Sequence, residues 1–367
     1  MSPQLEIQLV ASIVAAACAL PGVFLILRRM AMMSDAISHS ILLGIAVGFF
    51  LVGHTGHPLL IALAAASGIL TVSLVEMLIN TRRVREDAAI GLVFPVLFSI
   101  GVILISRFAG DVHLDVDAVL LGELAFAPFN RMTVLGLHLP QGVWVMGSIL
   151  FVNLLFIALF YKELKLATFD PALAAALGFS PVLLHYGLMS VVSITAVGAF
   201  DHVGSILVVA LMIAPPASAY LLTHSLPRML GLSLLFGVAA AIGGYWLARF
   251  LDANIAGAMA SMTGVFFLLT LLLAPEQGLL ARSRQRRRRR RRFAVEMLLV
   301  HLSRHENEPE AGTENSLAHL VEELKWQPNF AQAAVYNAQA EAFVQRQNGL
   351  LLLTEQGRQT AQRVLAR

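Results

Sequence analysis

The sequence predicts an all-α polytopic membrane protein of eight or nine transmembrane helices, followed by a small C-terminal cytoplasmic domain of helices and one hairpin. Three observations carry that prediction. Of 367 residues, 57% are hydrophobic and 13% charged, where a soluble domain carries about 25% charged residues. Apolar runs of about 20 residues, the length a helix needs to cross a bilayer core, recur through residues 1–280. Residues 293–367 then turn polar and change periodicity.

The candidate spans are 5–27, 36–52, 59–79, 88–106, 142–160, 182–200, 203–222, 229–249 and 256–274. The short run 36–52 and the narrow junction at 200–203 leave the count at eight or nine. The first run is read as a retained helix rather than a signal peptide. Met1–Gln8 has no basic residue, and the apolar stretch continues to Leu27. Cys18, the one cysteine, lies inside that run and can form neither an internal disulfide nor a Cys-rich zinc site.

Segment 107–140 interrupts the pattern with Asp111, His113, Asp115, Asp117 and Glu123, then a short apolar piece and Pro128. Irregular backbone at membrane depth survives only inside protein or beside a water-filled cavity. The segment is therefore expected to be a re-entrant or surface helix on the outer side.

Charge gives the orientation, because clustered Lys and Arg beside spans stay cytoplasmic. Arg28-Arg29, Arg82-Arg83-Arg85, Lys162/Lys165 and the run Arg282–Arg292 fall on one side if the spans alternate. The N-terminus is then outside and the C-terminus cytoplasmic. The formal net charge of +3 hides an uneven distribution, with nine Arg and no acid in residues 281–292. This segment is read as a linker whose Arg286, Arg287, Arg288, Arg289 and Arg290 meet the anionic lipid surface. Glu76, near the inner end of its span, is expected to reach water or pair with Arg82 or Arg83.

In residues 293–367, Phe293–Leu302, Ser316–Leu324 and Phe330–Phe343 have helical apolar spacing. Asn348-Gly349 between apolar runs marks a hairpin, and Thr354-Glu355-Gln356-Gly357 opens a last helix. Three helices, a hairpin and a helix make a winged-helix order.

The first chemistry-bearing motif is Met33-Ser34-Asp35-Ala36-Ile37-Ser38-His39. Asp35 and His39 are four apart, so on a helix they share a face. A carboxylate and an imidazole together suit manganese, iron(II) and zinc, and titratable groups inside a span are costly and usually functional. The alternative is that Asp35 caps the helix while His39 is a satisfied core residue. Asp201 and His202 stand before the span 203–222 and are secondary metal candidates at the outer mouth. His54 and His57, and the alternating Asp111–Asp117, are weaker ones. The segment Phe169–Ser180 reads as a short Ala-rich helix with an Asp-Pro start and a Gly end, a shape fitted to dock in a partner's groove. No Gly-x-x-x-x-Gly-Lys-Ser/Thr phosphate loop is present, and no nucleophile–base pattern appears. The chain is expected to be no enzyme and to hydrolyse no ATP itself.

Gly22–Arg29, Asp35-Ala36-Ile37-Ser38-His39 and Gly44-Ile45-Ala46 resemble the opening of the manganese/zinc/iron ABC permease family. Glu86–Gly91, Leu120–Glu123, Phe169–Gly178 and Val203–Ala217 resemble later stretches of that family in the same order. The resemblance covers roughly residues 5–280. It implies an ABC importer permease of the bacterial cytoplasmic (inner) membrane, paired as a homodimer or with a second permease. It also implies a cytoplasmic ATPase, a periplasmic or extracellular metal-binding protein, and a divalent metal ion as transported substrate rather than permanent cofactor. By the same resemblance Asp35 and His39 line the metal path, while Phe169, Asp170, Pro171, Ala174, Leu177 and Gly178 couple to the ATPase. A permease for a larger metal chelate of the siderophore or cobalamin type and a membrane-tethered transcription regulator remain as alternatives. The segment Gly349–Gly357 resembles the DNA-binding part of iron/manganese-dependent repressors. However, residues 293–367 carry a net charge of −3 and the helix 330–343 has no Lys or Arg, which argues against DNA, whose affinity comes largely from phosphate neutralisation.

Overall fold

The computed structural model describes residues 2–52, 58–108, 122, 124–134, 136–306, 315–347 and 349–366. It divides into two compact units, Met1–Gly278 and Leu279–Arg367.

The first unit is a helical bundle. Its elements are α1 (Pro3–Leu27), α2 (Ala31–Val52), α3 (Pro58–Asn80), α4 (Glu86–Phe108), α5 (Gln141–Leu159), α6 (Tyr161–Phe169), α7 (Pro171–Ala176), α8 (Pro181–Leu222), α9 (Leu226–Leu251) and α10 (Ile255–Leu273). Among the described residues, eight helices are long and apolar enough to cross a membrane. A helix that is apolar all round belongs in an interior. Accordingly α1, with its continuous run of Ala, Val and Leu, is buried along most of its length from Val10 to Leu25. Small residues set the tightest approaches, as between packed helices in lipid. Gly44 lies against the backbone of Leu63 and Ala64, Gly48 against Leu60, and Gly244 against Met259. Buried polar groups tie the helices together. Asn153 Nδ2 donates to Ala17 O at 3.0 Å and to Thr195 Oγ1 at 2.9 Å, and Ser193 Oγ donates to Ala65 O.

The 42-residue α8 is not straight. Gly204 has φ 72° and ψ 169°, a conformation essentially reserved for glycine. Neighbours of α1 show what that does. His185 pairs with Arg28; Thr195 meets Asn153, which also meets Ala17. His202 shares the surroundings of Gly142 with Val10, and Met212 lies against Gly22. From residue 185 to 202 the chain therefore climbs α1 from its C-terminal to its N-terminal end. From 202 to 212 it descends again. The chain reverses at Gly204, so α8 makes two passes and the described helices nine in all, with the division falling where the sequence leaves only residues 201–202 between two apolar runs. Gly122 (φ 66°) packs on the Val203–Gly204 backbone at the turn.

Most of the stretch 109–123, where an outer helix is expected, lies outside the described residues. Beyond it the described residues form a 3-10 turn, Leu124–Phe126, and a β-hairpin of β1 (Arg131–Val134) and β2 (Leu137–Pro140). Arg131 pairs with Pro140 and Val134 with Leu137. Gly136, at φ 78°, makes the turn. The alternation is short because each strand has four residues, so it leaves little period-2 signal.

The second unit comprises α11 (Leu279–His305), α12 (Leu317–Glu323), α13 (Pro328–Ala340), the hairpin β3 (Val344–Gln347) and β4 (Leu350–Leu353), and α14 (Glu355–Leu365). Residues 281–292, expected as a linker, continue directly into the helix expected at 293–302. Seven consecutive Arg, 286–292, advance 100° each and so cover every side of α11. Arg290 lies over the Phe330 ring, 4.7 Å from its centroid. The core joins Leu298, Leu299 and Leu302 of α11 to Leu320, Val335, Leu351, Leu353 and Ala361. Ser316 Oγ caps α12 by accepting from His319 N, and Thr354 Oγ1 caps α14 by accepting from Gly357 N.

Candidate metal centre

α2 begins at Ala31 because the chain turns at Arg29, whose φ is 63°. Asp35 therefore lies one turn inside the helix and does not cap it. Its Oδ1 stands 3.4 Å from His39 Nε2, and the two side chains are 31% and 33% exposed. Two rings of α4 hold the imidazole. Phe94 stacks on it at 5.7 Å between centroids with planes 26° apart, and Phe98 meets it edge-on at 5.8 Å. The apolar brace fixes the ring, while partial exposure leaves the carboxylate and imidazole open on one side. The pair offers one oxygen and one nitrogen to an ion and leaves further coordination positions for water or other ligands.

Asp201 and His202 lie elsewhere, just before the reversal at Gly204. Both line a pocket of about 100 Å³ with Leu124, Phe126, Ala127, Asn130 and Gly142. His202 Nε2 is buried without a hydrogen-bond partner among the described residues. The structure thus brings Asp35 to His39, and Asp201 and His202 into one pocket. No hydrogen bond or ion pair among the described residues joins the two sets. His54, His57, Asp111, His113, Asp115, Asp117 and Glu123 lie outside the described residues.

The segment 169–180 forms the capped knob that its sequence implies. Asp170 Oδ1 accepts from Leu173 N at 2.9 Å, Pro171 opens α7, and Gly178, at φ 87°, ends it. Ala174 is fully buried against Ala167 and Leu184. Phe169, Leu173 and Leu177 are exposed, Phe169 and Leu177 each to 61%. Exposed apolar side chains on a rigid, capped turn are what a docking knob requires.

Sequence reasoning missed the polar cluster beside this knob. Glu76 does not pair with Arg82 or Arg83; its Oε1 lies 2.7 Å from His185 Nε2. Arg28 Nη1 lies 3.4 Å from His185 Nδ1, and Arg28 Nε donates to Thr168 Oγ1 at 3.2 Å. Burial lowers the pKa of Arg28 from its usual value. The cluster joins the C-terminal ends of α1 and α3 and the N-terminal end of α8 to the last turn of α6. Its only sequence signal is four polar residues beside span ends, and their separation along the chain hides the pairing.

Residues 4–274 match the ABC 3 transport family. Over 358 residues the chain is 49% identical to the zinc transport system membrane protein TroD of Treponema pallidum, with 98% of each chain covered. It is 46% identical over 271 residues to the manganese transport system membrane protein MntD of Bacillus subtilis, covering 74% of this chain and 92% of that one. Among solved structures it is similar to PsaBC from Streptococcus pneumoniae in complex with Fab, with a TM-score of 0.62 and 28% identity. That match covers 76% of this chain and 94% of the other.

Proposed function

The chain belongs to the ABC 3 transport family, and from that premise we propose that a divalent transition-metal ion crosses it along a path lined by Asp35 and His39. The chain is a metal-importer permease, a multi-span protein of the cytoplasmic membrane and not an enzyme. Family membership implies a separate ATPase subunit and a substrate-binding partner. The observation that carries the path assignment is the Asp35–His39 pair. It is a mixed O/N donor set at 3.4 Å, braced by two phenylalanines and open on one side, within a helix whose other residues are apolar or serine. Such donors suit zinc, manganese and iron(II) alike, in keeping with relatives named for zinc and manganese transport.

In this reading two permease chains face each other across the open side, and each supplies an Asp35–His39 pair. Asp201 and His202, at the far end of α1 from the knob, receive the ion from the substrate-binding partner. Clustered Arg beside spans stays cytoplasmic, and nine passes from an outer N-terminus support reading Arg28-Arg29, Arg82–Arg85 and the Arg run as cytoplasmic. The knob at Phe169, Asp170, Pro171, Ala174, Leu177 and Gly178 is then on the ATPase side, and its movement reaches α1 and α3 through Thr168, Arg28, His185 and Glu76. Part of the Arg286–Arg290 run lies against anionic lipid, at about 1 kcal/mol per residue. The second unit is a winged-helix module that contacts protein rather than DNA, since α13 carries no Lys or Arg.

The test is competitive uptake of manganese, zinc and iron by cells carrying the permease with its ATPase and binding protein. Asp35→Ala and His39→Ala are each expected to abolish accumulation of the cargo metal while the complex still assembles. Normal uptake by both variants would place the path elsewhere and favour a larger cargo that needs no ion ligands.

A further inference from the structure

We propose that the second unit carries its own site for one divalent transition-metal ion, formed by His301, His305 and Glu323. The three residues come from two helices. His301 and His305 are four apart at the end of α11, so they share a face, and their rings stand 4.7 Å apart. Glu323 ends α12. One ligand atom from each of the three lies within 4.8 Å of the other two. His301 Nδ1 is already 3.3 Å from Glu323 Oε2. Metal–ligand bonds of about 2.0–2.1 Å in tetrahedral geometry place ligand atoms about 3.3 Å apart, so that edge needs no movement. Closing the rest requires small rotations of His305, at the end of its helix.

His319 supplies the support that a ligating carboxylate needs. It is four residues before Glu323 on α12, and its Nε2 lies 3.0 Å from Glu323 Oε2. Its ring is 6.2 Å from that of His301. Two helices thus each present a pair at i and i+4, His301–His305 and His319–Glu323, to a common point. Partners of this kind orient metal ligands. The site has a buried floor and an open rim: the His301 side chain is 5% exposed and that of Glu323 43%. Ions reach it from the rim while the core fixes its geometry. Two imidazoles and a carboxylate favour zinc, iron(II), cobalt(II) or manganese over magnesium and calcium, which take oxygen ligands. Three protein ligands leave one or more positions to water. A bound ion would pin the end of α11 to α12.

The site is separate from Asp35–His39, so the inference stands independently of the transport path. The test uses the full-length protein in detergent, stripped of metal, with Asp35→Ala, His39→Ala, Asp201→Ala and His202→Ala introduced to remove both the path pair and the outer pair. Cobalt(II) is titrated and read by its ligand-field absorption, with zinc as competitor. One cobalt equivalent is expected to bind and to be displaced by zinc. His319→Ala, which removes only the support, should weaken binding about 10–100-fold, and His305→Ala or Glu323→Gln at least as much. These three side chains are not fully buried; circular dichroism and gel filtration check that each variant is folded. Absence of cobalt binding would overturn the proposal. So would binding of undiminished affinity in folded His305→Ala and Glu323→Gln proteins, which would make the cluster a purely structural set of ion pairs.

Discussion

Arg131→Ala is expected to cost the first unit about 2 kcal/mol. The arginine holds the β-hairpin to the N-terminal end of α1. Its Nη2 lies 2.9 Å and 2.8 Å from the two carboxylate oxygens of Glu6, and its Nε donates to Pro128 O. The partners are unequally placed: the Glu6 side chain is 3% exposed and that of Arg131 47%. At an effective dielectric of about 20, charges about 4 Å apart attract by about 4 kcal/mol. Solvent around the half-exposed guanidinium screens roughly half of that, leaving about 2 kcal/mol. The loss falls on Glu6, which would remain a buried carboxylate without a counter-charge. The assay is unfolding in mixed micelles by increasing SDS, for Arg131→Ala, Glu6→Gln and the double variant. The double variant should be more stable than Arg131→Ala alone, because no charge is then stranded. Single effects that simply add, within about 0.3–0.5 kcal/mol, would show that the two groups do not interact and would refute the reasoning.

Four other perturbations address other links. Gly204→Ala places a Cβ on a backbone at φ 72° and ψ 169° and should cost about 1–3 kcal/mol in the same assay. Gly147→Ala, in the middle of α5 with open space around it, should instead be neutral or stabilising by up to about 1 kcal/mol. Asp170→Ala removes the cap on Leu173 N, worth about 1 kcal/mol. It should lower transport-stimulated ATP hydrolysis in the assembled transporter, and unchanged stimulation would exclude α7 from coupling. Glu76→Gln weakens the hold on His185 and should raise the ATP consumed per ion delivered; an unaltered ratio would remove the Arg28–His185–Glu76 cluster from the coupling route.

The sequence made the passes legible because burial in lipid demands length and apolarity, and both are local properties. Even the reversal at Gly204 left a trace, since two apolar runs meet there with only residues 201–202 between them. Asp35 and His39 were legible for a related reason: helical spacing alone puts them on one face. What escaped depends on contacts between distant segments. Glu76 finds His185, 109 positions away, because α3 and α8 pack side by side, and nothing near Glu76 announces it. The β-hairpin escaped because four-residue strands show too little alternation. The pairs His301–His305 and His319–Glu323 each have helical spacing, but only the fold of the second unit directs them to one point.

The two clusters also differ in what their geometry permits an ion to do. A conducting site must bind well enough to admit an ion and weakly enough to release it. Asp35 and His39 offer two donors from one helix, with the aromatic brace holding the imidazole. In the proposed pairing of two permease chains, additional ligands come from water or from the opposing chain, and relative movement of the chains removes those at once. His301, His305 and Glu323 converge from two helices whose leucines share one core, and His319 restrains the carboxylate. Releasing an ion there requires α11 and α12 to part or side chains to turn out of a partly buried site. The first arrangement therefore suits transit and the second residence. Cobalt(II) bound by the path pair should consequently exchange with added zinc faster than cobalt(II) held by the second unit, when each is measured in a protein lacking the other site. Slower exchange at the path pair would reverse that assignment of roles.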